Sequence, residues 1–145
     1  MSDSVQTGHP AVRLWSRNVL VVVLAFGAIS AFGGGVLGVF ANGAGVPLTY
    51  LANSPFESYL VPGMILGIVI GGTQLSAGLA LLRKHRSGYV LAVVAGFGML
   101  IWIFVELAVI GEYSWLQTVY FAVGIIELLL VYVHIGLLCA TAGTP

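Results

Sequence analysis

Apolar positions along this chain do not alternate with polar ones. They run in four long stretches, Val19–Phe40, Pro62–Leu82, Gly88–Ile110 and Trp115–Leu138. Each is long enough to cross a bilayer as an α-helix, which takes about 20 residues at a rise of about 1.5 Å. Arg83, Lys84, His85 and Arg86 separate the second stretch from the third, and Gly111–Ser114 the third from the fourth. Connections this short predict antiparallel neighbours. The pattern predicts an all-α, four-helix transmembrane bundle forming one domain over residues 19–138. A disordered polar tail over residues 1–18 and a short tail over 139–145 are expected to flank it.

The remaining connection, Ala41–Val61, is longer and carries its own signals. Asn42-Gly43-Ala44-Gly45 suits a helix C-terminus. Ser54-Pro55-Phe56-Glu57 reads as a capping box, with Ser54 as N-cap, Pro55 as first helical residue and Glu57 as reciprocal acceptor. It predicts a short interfacial helix that Pro62 kinks or breaks where the second span begins.

Two helical faces stand out inside the spans. In the second, Gly63, Gly67, Gly71, Gln74 and Gly78 recur at steps of three and four, so they share one side. The first span has a shorter version in Gly27, Ala31, Gly34 and Gly38. Small residues let helices approach closely where lipid offers no hydrophobic drive for association. Packing within one bundle is the preferred reading, and a homodimer seam is the alternative. In the fourth span, Gln117, Tyr120, Gly124, Glu127, Val131 and His134 form a polar stripe, which should face away from lipid.

Glu127 lies about 18 Å from the end of its span, near the bilayer midplane. Gln74 lies equally deep in the second span, so the two side chains are expected to hydrogen-bond across the bundle. A midplane carboxyl can serve as a structural hydrogen-bond partner or as the proton site of a transporter. Glu106 sits about 6 Å below the end of the third span, where a carboxylate can snorkel to interfacial water. Tyr120 is at a similar depth on the neighbouring helix. Glu106, Tyr120, Glu127 and His134 together suggest a descending polar track, which Val131 interrupts.

Composition sharpens this picture. Of 145 residues, 59% are hydrophobic and 7% charged, against about 25% charged in soluble chains. Mean hydropathy is +1.07 and formal net charge is zero. A soluble enzyme, a nucleic-acid binder and a disordered chain are all poor readings, and nucleic acid is not an expected partner. Cys139 is the sole cysteine, which argues against a paired-thiol membrane oxidase. All five basic residues (Arg13, Arg17, Arg83, Lys84 and Arg86) fall at one end of the spans, so that end and both termini are expected in the cytoplasm. The first apolar run exceeds the usual signal-peptide core and no clear cleavage site follows it, so removal is not expected.

No residue set has metal-ligand spacing, no serine-histidine-aspartate arrangement appears, and His134 is the only histidine within a span. No cofactor, metal or catalytic residue is expected. Small multidrug exporters carry an essential glutamate in their first span, whereas this first span has no acid.

Ser54-Pro55-Phe56…Tyr59…Pro62-Gly63, Trp102-Ile103…Glu106-Leu107 and Trp115-Leu116-Gln117 resemble segments of a group of small bacterial four-span membrane proteins. That group is of actinobacterial type and without an assigned function. The resemblance covers the four spans and implies their architecture, but brings no activity and no catalytic residues. The expected role is a non-enzymatic accessory or scaffolding subunit of a larger membrane complex, or a small homo-oligomer, in the inner (plasma) membrane. The alternative is a transporter or channel component for protons or a small solute. In it, Glu127 would be the proton site, Gln74 its partner and Glu106 the entrance. The lipid bilayer is a partner under either reading.

Overall fold

The apolar stretches are helical throughout the computed structural model, which describes residues 8–52 and 54–142, with side chains at 11–52 and 54–136. Helix α1 spans Gly8–Ala41, a 3-10 turn Leu48–Leu51, α2 Leu60–Leu82, α3 Gly88–Ile110 and α4 Trp115–Ala142. No strand occurs among the described residues. All four helices are long and apolar enough to cross a membrane. Their outward faces carry exposed side chains such as Val22, Ile29, Ile68, Ile101, Phe104 and Leu129. A continuous apolar exterior of this kind belongs in lipid, and the chain is a multi-pass membrane protein.

The ends of the chain differ from expectation. α1 begins at Gly8, so residues 8–18 are helical where a disordered tail was expected. The cause lies at Ser16, which is 2% exposed and held against α4. Contact with a neighbour extends the helix beyond its apolar run. Likewise α4 continues to Ala142, through the start of the expected tail. Residues 1–7 and 143–145 and the side chain of Cys139 lie outside the described residues.

The long loop corrects a second expectation. No helix starts at Pro55, and the short helical turn lies earlier, at Leu48–Leu51. Ser54 Oγ does accept from Phe56 N–H (3.1 Å), but the chain stays irregular to Tyr59. Pro62 explains this: it has no N–H for the carbonyl of Ser58, and its ring would clash there. Inside the first turn of α2 that missing N–H costs nothing, so Pro62 marks the helix start instead of a break. Tertiary bonds hold the preceding backbone. Tyr59 N–H donates to Asn42 Oδ1 (3.0 Å), and Tyr59 Oη–H donates to the Pro47 carbonyl (3.0 Å). The turn after α1 follows the sequence pattern, with Asn42, Gly43, Ala44 and Gly45 all at positive φ.

A working capping box stands at Ser114-Trp115-Leu116-Gln117. Gln117 Oε1 accepts from Ser114 N–H (2.8 Å), while Ser114 Oγ accepts from Leu116 N–H (3.4 Å). It has the same spacing as the box that failed at Ser54, but an uninterrupted apolar helix follows it. Ser114→Ala is expected to lower stability by about 1 kcal/mol, read by denaturant titration of tryptophan fluorescence in micelles.

The glycine faces close on each other within the chain. A Cβ on Gly35 would lie 2.7 Å from Gly67 Cα, and one on Gly38 2.8 Å from Gly63 Cα. The close contact therefore runs through Gly35, which the sequence pattern missed. Gly34 instead faces Leu66, while Gly71 abuts the Phe32 ring and Gly78 abuts Leu24. Between Ile65 and Gly71, α2 is wound as a π-helix. Hydrogen bonds to i+5 underwind this stretch. Residues four apart drift less around the axis as a result, which keeps Gly63, Gly67 and Gly71 aimed at α1.

Candidate functional site

Gln74 and Glu127 meet at the centre of the bundle, both 0% exposed. Gln74 Nε2–H donates to Glu127 Oε2 at 3.0 Å. Gly27 makes this possible, since a Cβ there would lie 2.9 Å from the Gln74 amide carbon. α1 supplies the space, α2 the amide and α4 the acid. Gln74 Oε1 and Glu127 Oε1 are buried and have no hydrogen-bond partner among the described residues. A proton on the carboxyl turns one of its oxygens into a donor, which is what the amide oxygen lacks.

Apolar layers bound the pair on both sides. One turn towards the long loop, Ala31, Ile70 and Met99 pack together. Towards the basic end, Leu20, Leu24, Ala77, Leu81, Ala92, Ala95 and Val131 form a thicker cluster. Buried polar groups surrounded in this way interact more strongly with each other, and the bond between them gains in worth.

Above the thinner layer lies a cavity of about 760 Å³, open at the long-loop end. Its floor is Ala31, Leu66 and Met99, and Glu106 and Tyr120 stand on its wall. These two do share a site, without a direct hydrogen bond, and the Tyr120 ring stacks on Phe26 at 6.2 Å. Glu112 joins Glu106 as a second carboxylate, and among the described residues no Lys, Arg or His lines the space. Trp102, Trp115, Tyr50, Tyr113 and Tyr120 supply five aromatic rings. Those residues come from the long loop, α3, the turn after it and α4. Sequence spacing along a single helix cannot reveal that they converge.

His134 lies apart, at the basic end. Ser16 Oγ donates its only proton to the Arg13 carbonyl (3.0 Å), so it accepts from His134 Nδ1–H at 3.2 Å. The Tyr89 ring stacks on the imidazole with centroids 4.2 Å apart. The expected track from Glu106 to His134 is thus divided into three separate polar sites. Leu81, Leu24 and Val131 lie between the last two, because α1 and α2 fill the space beside the polar stripe of α4. Ser16 and Tyr89 were not found from sequence. Their only signal was being polar residues at the depth of His134.

Comparison with protein-family models, with curated proteins and with solved structures finds no match to this chain.

Proposed function

We propose that this is a non-enzymatic membrane protein that binds an organic cation in the cavity at its long-loop end. The observation that carries the reading is the lining: two carboxylates, five aromatic rings and, among the described residues, no basic side chain around about 760 Å³. That volume is in the range of small-molecule sites. Aromatic faces attract cations through their quadrupoles, and a low-dielectric wall strengthens the attraction to a carboxylate. In this reading Glu106 holds the charge, while Trp102, Met99 and Leu66 take the apolar body. The Gln74–Glu127 pair acts as a structural lock. An accessory subunit or a small homo-oligomer can bind in this way, and native mass spectrometry after gentle extraction would identify its partner.

Tetraphenylphosphonium titrated into the detergent-solubilised protein tests the reading, with calorimetry and tryptophan fluorescence as readouts. Glu106→Gln is expected to weaken binding at least tenfold, and Glu127→Gln to change it less than twofold. Equal binding of a neutral analogue of the same size, or an unaffected Glu106→Gln variant, would overturn it.

The transport reading draws on one observation. The floor of this cavity belongs to the same thin layer that covers Glu127. Coupled flux in liposomes that disappears in Glu127→Gln, with binding retained, would favour transport over binding alone.

A further inference from the structure

A second cavity, of about 640 Å³, lies at the opposite end of the bundle. Arg13 and Arg17 line it from α1, and Lys84 and Arg86 from the turn after α2. Tyr89 and the buried His134 line it as well. The positive-inside rule accounts for cations near this membrane face. It does not require two segments more than sixty residues apart in sequence to aim them into one space.

No carboxylate lines the cavity among the described residues. Glu57, Glu106 and Glu112 belong to the long-loop end, and Glu127 is enclosed at the core. Four cationic side chains therefore converge there without an acidic partner among the described residues. Arg13 and Arg17 are one helical turn apart, so their guanidinium groups share a face. Guanidinium forks match the paired oxygens of a phosphate, and lysine adds a point charge. The hydrogen bond from His134 to Ser16 and the stacking of Tyr89 hold the protein around them in place.

The level of the cavity points to the source of the phosphate. It opens where α1 and α2 leave their apolar stretches, and Leu14, 54% exposed, is on its rim. Lipid headgroups lie at that depth, with acyl chains alongside Leu14. Basic pockets between helices at this face are suited to anionic headgroups.

We propose that this basic cavity binds the phosphate of an anionic phospholipid, clamped between Arg13 and Arg17 on one side and Lys84 and Arg86 on the other. The backbone supports a use for the lysine. Lys84 follows Arg83, the C-cap of α2, and is left-handed at φ +56°, where glycine is the unstrained choice.

Native mass spectrometry of the full chain in mild detergent tests this, with phosphatidylglycerol, phosphatidylcholine and inorganic phosphate as probes. Retention of phosphatidylglycerol is expected to exceed that of phosphatidylcholine at least fivefold. Arg17→Gln and Arg86→Gln should each reduce it several-fold. Arg83→Gln removes the same charge from a neighbouring residue outside the cavity lining and should leave retention within twofold. Lys84→Gly should lower retention while its thermal midpoint holds or rises, which separates lipid binding from folding. Equal retention of the two lipids overturns the proposal. So does an Arg83→Gln loss matching that of Arg86→Gln, which would indicate diffuse charge attraction. Millimolar inorganic phosphate that binds in their place, without a lipid preference, would assign the cavity to a soluble phosphate and also overturn it.

Discussion

Alanine at Gly33 and alanine at Gly35 are expected to move stability in opposite directions. A Cβ at Gly33 meets nothing within 4 Å, so Gly33→Ala gains about 0.5–1 kcal/mol from the lower helical entropy cost of alanine. At Gly35 the added carbon would sit 2.7 Å from Gly67 Cα and 2.9 Å from the Gly63 carbonyl oxygen. Both neighbours are backbone, which no rotamer change can move aside. α1 and α2 must separate, at a cost of about 1–3 kcal/mol for overpacking. Separation also loosens the Gly38–Gly63 contact, because the same two helices carry both. Equilibrium unfolding of the two variants in micelles decides the matter. A Gly35→Ala protein as stable as Gly33→Ala would show that the helices do not pack through this face.

Glu127→Leu is expected to destabilise the bundle by about 1–3 kcal/mol, because it leaves the Gln74 amide buried and unpaired. Hydrogen bonds between membrane helices average only about 0.6 kcal/mol, since the separated helices also find partners. This site should exceed that average, for Gln74 is 0% exposed, seated against Gly27 between two apolar layers. Glu127→Gln keeps an acceptor and adds two donors, so its stability should remain within about 0.5 kcal/mol of the parent. The same unfolding measurement on both variants tests the order. Equal losses would mean that the carboxyl group itself is needed. A silent leucine would mean that the pair contributes little to the fold.

These two sites differ in how far they could be read in advance. The Gln74–Glu127 bond was legible because depth along a membrane helix follows from residue count at a fixed rise, and both residues are polar exceptions in apolar stretches. The close glycine contact was legible only as a face. Choosing Gly35 over Gly34 depends on the rotation of α1, which a small-residue pattern spread over several adjacent positions leaves open. The capping boxes carry the same lesson. Ser54 and Ser114 have the same local spacing, and Pro62 together with the Tyr59–Asn42 bond decided against the first.

Length, hydropathy and the placement of turns determined four membrane-spanning helices in antiparallel succession. These properties are local: each helix satisfies its own backbone in lipid, and short connections leave few alternatives. The tertiary structure decided what the polar residues do. It divided an apparent track along α3 and α4 into a sealed central pair, an acidic aromatic cavity at one end and a basic cavity at the other. Spacing along one helix specifies a direction and a depth. The other helices determine what fills the space between two polar groups, and here they filled it with leucine, valine, isoleucine, methionine and alanine.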